Sequence, residues 1–363
     1  MTRQGLQLLV TAGIAGVLVF VAVAADGAED QINWERARRE RQSQGLANPP
    51  SPKDRTGLVP LADTGKGSYK GEDLGLYGNN SNTPPPAHLA AAMREAAKIV
   101  PLDASGRPSP GGKIVLLSIG MSNTTQEFSE FKRIADADPA KSPNVVIVDC
   151  AQGGQDAIVW ARAESGMNGD RPSPWTVLDQ RLTASGVTAL QVQAAWLKQA
   201  RAGPAALGAF PAHARELQAN LVSILEIAKK RCPNLRLAFL SSRVYAGYAT
   251  TNLNPEPYAY ESAFSVRWVI QDQIKGEPAL NFAPERGEAR APLALWGPYL
   301  WADGVAPRPA DGLVWKREDL GADGTHPSMS GRQKVAALLL EFFKSDPSAR
   351  PWFTRPVAPP EGG

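Results

Sequence analysis

Five short apolar runs, each followed by a stretch with helical spacing, limit what this chain can fold into more than any other feature. They are Lys113–Ile119, Asn144–Cys150, Val187–Gln193, Leu235–Ser241 and Pro292–Trp296. The first, Ile-Val-Leu-Leu-Ser-Ile after Lys113, shows no polar alternation, which is the mark of a strand covered on both faces in a parallel sheet. Helical patterns lie between the runs, at Glu127–Ala137, about Trp175–Ala184, Ala212–Arg231 and Tyr260–Ile274. A short helix over Ala87–Ile99 precedes the first run, and Ser328–Lys344 closes the series. In Ala212–Arg231, residues Leu217, Leu221, Ile224, Leu225 and Ala228 fall on one face at helical spacing. Repeated strand–helix alternation predicts an α/β fold, a doubly wound parallel sheet with right-handed crossovers. Ligands bind outside the carboxyl ends of such strands. The loops to inspect are therefore 120–125, 151–156, 194–198, 242–258 and 297–326.

The chain ends are of a different kind. Leu6–Ala25 is apolar, follows a single early charge at Arg3, and closes in Ala22-Val23-Ala24 before Asp26. Small residues two apart at the end of an apolar run match a signal-peptidase site, so 1–25 is expected to be a signal peptide and the rest of the chain exported. An uncleaved membrane anchor is the competing reading, because roughly 20 apolar residues can span a bilayer. Residues 26–68 read as a polar, Pro-rich linker, with charges interleaved at Glu35–Arg41. The ordered domain is expected over 69–346, with a Pro-rich tail from 347 to 363.

Composition removes several function classes. The chain has 363 residues, 39 Lys and Arg against 36 Asp and Glu, and a net charge of +3, which argues against a dedicated nucleic-acid binder. With only 2 Cys and 3 His, no usual metal-site spacing can be assembled, and no metal or other cofactor is expected. Residues 106–113 resemble a phosphate loop faintly, but Gly112 displaces the lysine and the segment precedes a strand. No Gly-x-Gly-x-x-Gly fingerprint follows the first run. Cys150 and Cys232 fall at opposite edges of a parallel sheet and are expected to be free thiols.

A serine mechanism remains. A hydroxyl becomes a nucleophile only with a base in reach. His88, after a triple proline, and His213, at the start of a long helix, read as surface or cap-region residues. His326 stands in Asp323-Gly324-Thr325-His326-Pro327, after the last strand. An aspartate three residues earlier can turn back onto the imidazole and fix its tautomer, although a plain helix-start turn uses the same residues. Ser122 follows the first strand in Ile119-Gly120-Met121-Ser122-Asn123-Thr124. It is equally a helix cap, or a nucleophile beside helix-end N–H groups that stabilise developing negative charge.

Gly-x-Ser-Asn-Thr at a strand end, a glycine-bearing loop after the second strand and a late Asp-x-x-His-Pro resemble the GDSL/SGNH hydrolase family over roughly Lys113–Phe343. The resemblance implies a three-layer α/β/α, flavodoxin-like fold with about five parallel strands, housing esterases, acetylesterases, lipases and thioesterases that work without metals. It also implies Ser122 as nucleophile, His326 as base and Asp323 as the orienting acid. Gly154, or Gly153 by one register, would complete the oxyanion hole with the Ser122 N–H. Two departures stand out. Met121 occupies the place of the family's aspartate, and no Gly-x-Asn-Asp follows the third strand. Gln193 is the expected stand-in for the missing oxyanion asparagine, with Asn168 of Gly166-Met167-Asn168 as the alternative.

Arg243, Tyr258, Tyr299 and Trp301 lie in the strand-end loops and are expected substrate contacts, through a carboxylate or by stacking. They can equally pack the loops, with Arg243 bridging to Glu256 or Glu261. The whole reads as an exported serine hydrolase of carboxylic esters, with acetylated carbohydrate as one candidate substrate. The expected partner is a small-molecule or carbohydrate ester, with no nucleic acid, and a membrane only if the leader is retained. A catalytically silent carbohydrate-binding protein on the same fold is the alternative.

Overall fold

The computed structural model describes residues 51–162 and 172–355. The leader, most of the expected linker and Asn168 lie outside the described residues.

Among the described residues the chain opens with a two-residue hairpin, β1 (Ser68–Tyr69) and β2 (Glu72–Asp73), then α1 (Pro86–Ala96). The doubly wound part follows in order. It comprises β3 (Ile114–Gly120), α2 (Ser122–Ala137), β4 (Val145–Val148), α3 (Ala157–Trp160), α4 (Pro174–Ala184) and β5 (Val192–Lys198). It continues through α5 (Ala212–Arg231), β6 (Leu237–Ser241), α6 (Tyr258–Lys275), β7 (Leu293–Trp296), α7 (Met329–Ser345) and α8 (Arg350–Phe353). The sheet has the strand order β4-β3-β5-β6-β7, and every pairing is parallel. The α/β expectation of a five-stranded parallel sheet flanked by helices is met. The chain steps from β3 outward to β4 and then crosses back to β5, so the winding reverses beside β3. In sheets of this kind ligands bind at the carboxyl ends of the strands beside such a reversal, and Ser122 follows β3 there.

Every residue of β3 and of β5 is buried, as the unalternated apolar runs require. Within β5, Trp196 stacks on Phe128 of α2 with ring centroids 5.6 Å apart. Alternation then turns Ala195 and Leu197 to the opposite layer. Phe131 of α2 stacks in turn on Phe343 of α7, at 5.4 Å.

Three expectations about limits need correction. The third strand is not Val187–Gln193 but Val192–Lys198. Ala189–Gln191 is a short helical turn, with the Gln191 side chain accepting from the Thr188 amide and donating to the Leu102 carbonyl. Lys198, expected in the loop after the strand, is instead its last residue. It is fully buried against Glu127 of α2. Second, the supposed linker is partly in the domain. Leu61 is wholly buried, its amide donates to the Tyr299 hydroxyl at 3.0 Å, and the Thr56 and Gly57 amides donate to Asp303. Third, the supposed tail contributes α8, whose Phe353 is buried beside Phe131 and Phe343 and accepts the Ser142 amide.

Two histidines read as surface or cap-region residues are buried. His88 Nε2 contacts the Ala294 carbonyl at 2.9 Å, and burial holds its pKa below the usual imidazole value. His213 Nε2 contacts Glu261 Oε2 at 2.7 Å, and the other Glu261 oxygen accepts from Tyr69 and Lys70. Cys150 and Cys232 are buried free thiols.

Candidate active site

Strand β3 ends in a glycine for a steric reason. A Cβ on Gly120 would lie 2.3 Å from Thr124 Oγ1 and 2.5 Å from the Lys198 carbonyl oxygen. The chain then extends through Met121 and begins α2 at Ser122, with no side chain capping the helix. The first-turn amides of an uncapped helix are orphan donors. Ser122 is half-buried, and its Oγ lies 2.7 Å from His326 Nε2. On the far side of the ring, His326 Nδ1 lies 2.6 Å from Asp323 Oδ2. Serine, histidine and aspartate are thus joined in one unbroken chain across 204 residues of sequence.

The loop carrying Asp323 and His326 is wound around the Asp323 carboxylate. Its Oδ1 accepts the amides of Thr325 and His326, each at 3.0 Å. Gly321 N–H closes the loop on the His326 carbonyl at 2.7 Å. Gly324 sits at φ +62°, and a Cβ there would lie 1.8 Å from the Tyr248 carbonyl oxygen, so the turn requires glycine. Burial pushes the Asp323 carboxyl up. The hydrogen bonds from the His326 ring and the two amides outweigh burial and hold it well below the usual carboxylate range. Asp323 therefore stays anionic and directs the Nδ1 proton toward itself, leaving Nε2 to accept from Ser122.

The loop after β4 reaches the same sheet edge. Gln152 N–H donates to the Gly120 carbonyl at 3.0 Å, tying this loop to the residue two before Ser122. Gly154 follows at φ +76°, a left-handed turn that suits glycine. Beneath it, Asp149 accepts from Ser118 and Thr125 at 2.5 Å each and from Ser129 at 2.7 Å, which joins β3, β4 and α2. Burial raises the Asp149 pKa in spite of these donors and Arg181.

Gln193 is not brought to this edge. It is the extra residue of a bulge in β5, because Val115 pairs with Val192 and the next residue, Leu116, pairs with Ala194. Its amide donates to the Val100 carbonyl at 2.7 Å and accepts the Val100 N–H at 3.2 Å. That places it at the amino end of β5, five residues or about 16 Å from the sheet edge that carries Ser122. The residue missed by sequence reasoning is Gln199. Gly120 pairs with Lys198, so Gln199 emerges beside Met121, one residue before Ser122. Gln199 is 2 % exposed, and among the described residues its Nε2 has no hydrogen-bond partner. The signal that could have found it is Glu127, five residues after Ser122 on α2 and available to receive a buried lysine. Glu127 Oε1 accepts from Lys198 Nζ at 2.6 Å, and Oε2 also bonds it. Burial pulls the Lys198 pKa down to about 8, with Glu127 opposing.

The expected substrate contacts are mostly interior. Arg243 is 1 % exposed, and its guanidinium reaches the Thr325 carbonyl at 3.5 Å. Tyr299 is buried with its hydroxyl on the Leu61 amide. Trp301 is wholly buried and donates to Glu256 at 2.8 Å. Tyr258 alone is half-buried, its ring edge-on to His213 at 4.8 Å. The long loops bury these groups as their own core, which leaves Arg243, Tyr299 and Trp301 unable to meet a ligand without rearrangement.

No family model and no curated protein matches this chain. Among solved structures it is similar to a Bacteroides fragilis protein given a provisional acylhydrolase name. That match has 16% identity over 71% of this chain and 96% of the other, with a TM-score of 0.34. A gut microbial diltiazem-metabolizing enzyme matches at 13% identity over 66% of this chain and 48% of its own, with a TM-score of 0.32. A salicylyl-acyltransferase from a tetracycline biosynthetic pathway matches at 13% identity over 67% and 58%, also with a TM-score of 0.32. Likenesses this distant do not bear on what the chain does.

Proposed function

We propose that this protein is an exported serine hydrolase of the SGNH type that cleaves carboxylic esters through an acyl-enzyme. The observation that carries this reading is the continuous Ser122–His326–Asp323 chain, with contacts of 2.7 and 2.6 Å. Ser122 Oγ attacks the ester carbonyl carbon while His326 Nε2 takes its proton. Asp323, anionic and buried, stabilises the imidazolium that forms. Negative charge collects on the former carbonyl oxygen and is met by the N–H groups of Ser122 and Gly154 and by the Gln199 amide. A buried donor without a partner is suited to an oxygen that becomes fully charged only in the transition state. The tetrahedral intermediate then collapses, the C–O bond breaks, and His326 returns the proton to the departing alkoxide. Water, deprotonated by His326, attacks the ester on Ser122; the C–Oγ bond then breaks, His326 returns the proton to Ser122 Oγ, and the acid is released.

Export rests on the leader pattern at 1–25. The proposal stops at carboxylic esters, since the aromatic residues that suggested a sugar are mostly buried. A fluorophosphonate probe tests it: the purified chain should be labelled, and Ser122→Ala should lose both label and hydrolysis of p-nitrophenyl acetate. An unlabelled, inactive wild-type chain would favour the silent carbohydrate-binding protein instead.

A further inference from the structure

We infer that Asn123 is a positioning residue that holds the His326 loop in place while Ser122 is acylated, an inference that rests on the proposed hydrolase mechanism. Asn123 is the second residue of α2, next to Ser122, and is 2 % exposed. Its Nδ2 donates to the carbonyl of Thr325, the residue next to His326, at 2.8 Å. From α2, Ser122 bonds His326 and Asn123 bonds Thr325 in the loop over 320–327. Other ties of that loop lead elsewhere. Arg243 reaches the same Thr325 carbonyl at 3.5 Å, Thr250 N–H and Oγ1 bond the Asp323 carbonyl, and Thr251 Oγ1 lies 3.4 Å from Thr325 Oγ1. Arg317 donates to the Leu320, Gly321 and Ala322 carbonyls, Arg332 to the Pro327 carbonyl, and Gly321 closes the loop on itself.

The two bonds differ in what the reaction does to them. Once the acyl group is on Ser122, Oγ carries no proton and has nothing to donate to His326. The nucleophile–base contact is then gone, although the imidazole has still to activate the water that attacks the acyl carbon. Asn123 plays no part in the bond changes, so its link to Thr325 persists through the acyl-enzyme. It continues to tie the helix that bears the acyl group directly to the loop that bears the base. Losing it leaves acylation supported by the Ser122–His326 contact itself, while deacylation loses its brace.

The test is pre-steady-state hydrolysis of p-nitrophenyl acetate by the wild-type chain, Asn123→Ala and Asn123→Asp. Both variants remove the donor, and the aspartate keeps the side-chain size. Deacylation should slow by about 10- to 100-fold, the range expected when a reacting group drifts by up to an ångström. Because acylation is less affected, kcat and KM should fall together, kcat/KM should change by less than kcat, and the burst of p-nitrophenolate should keep full amplitude. A structural defect gives another pattern, with amplitude and kcat falling in step at constant KM. That pattern, unchanged deacylation, or a larger loss in kcat/KM than in kcat overturns the assignment. If Asn123→Ala fails to fold, Asn123→Asp decides. Failure of the brace is separable from failure of the hydrolase reading, because a wild-type chain that shows no burst and takes no fluorophosphonate label sinks the latter.

Discussion

Replacing Gln193 and Gln199 by alanine, one at a time, should give opposite results, because Gln193 is held by backbone at one end of β5 whereas Gln199, just past the other end, leaves its Nε2 unpaired. Gln193 makes two hydrogen bonds to the Val100 backbone, at 2.7 and 3.2 Å. A net hydrogen bond contributes about 0.5–1.5 kcal/mol, and a buried backbone group left unpaired adds to the loss. Gln193→Ala should therefore destabilise the fold by about 2–3 kcal/mol, with kcat of the folded enzyme unchanged. Gln199 is buried with an unpaired Nε2, so its removal deletes an uncompensated polar group. Gln199→Ala should leave stability unchanged or slightly raised, since an unsatisfied buried donor costs about 1–3 kcal/mol. Its effect should fall on kcat, by about 10²–10³-fold, the loss seen when one oxyanion donor is removed, with KM little changed. Urea unfolding and steady-state hydrolysis of p-nitrophenyl acetate read the two quantities separately. A crippled kcat in Gln193→Ala with normal catalysis in Gln199→Ala would refute both the strand register and the oxyanion assignment.

Asp323→Asn should keep the loop's shape but present an amide to Nδ1, favouring the wrong tautomer. A kcat loss of roughly 10⁴-fold is expected in esterase assays, and a loss under tenfold would mean Asp323 does not orient His326. Lys198→Met alone leaves the Glu127 carboxylate buried without its partner and should cost about 3–5 kcal/mol in urea unfolding, whereas Lys198→Met with Glu127→Leu should recover most of it. Equal losses in the single and double variants would contradict that. Burial raises the Glu256 carboxyl from 4.5 to about 7, against the donors Ala246, Trp301 and Tyr260 and the charge of Arg243. The fold thus binds more protons than the unfolded chain between those values, so this contribution is fully present below pH 4.5 and lost as pH rises through about 7. Urea midpoints at the two ends of that window should differ less in Glu256→Gln than in wild type, and identical slopes would sink the attribution.

How much of this was legible in the sequence depended on how far each residue reaches for its partner. Asp323 and His326 are three apart, and the turn that joins them is local, so the spacing alone exposes it. The place of Ser122 beside His326 could be expected because a strand end and a helix start have clear signals. Gln199 was hidden because the register of β5 depends on Glu127, 71 residues away, and no local pattern announces that a lysine will be buried. Gln193 was mistaken for a strand-end residue for the same reason. His88 and His213 looked exposed because their partners, Ala294 and Glu261, come from 206 and 48 residues downstream. Arg243, Tyr299 and Trp301 were taken for ligand contacts because aromatic and basic residues in long loops look alike in sequence whether they face a ligand or each other.

The buried Lys198–Glu127 pair also acts as a registration pin for the central strand. β5 lies between β3 and β6, apolar on both faces, and Ala194, Ala195 and Leu197 would accept a neighbouring alignment with little complaint. A slip of one residue turns every side chain to the other face. Lys198 would then carry its ammonium into the layer away from α2, and Glu127 would be stranded in the first. Only one alignment satisfies both charges, and it is the one that sets Gln199 beside the residue preceding Ser122. The doubly apolar variant, stable as it should be, ought then to pay in uniqueness. Its β5 amides should exchange with solvent faster than wild type at equal global stability, and matched exchange rates would show that the bulge at Gln193 suffices to hold the strand.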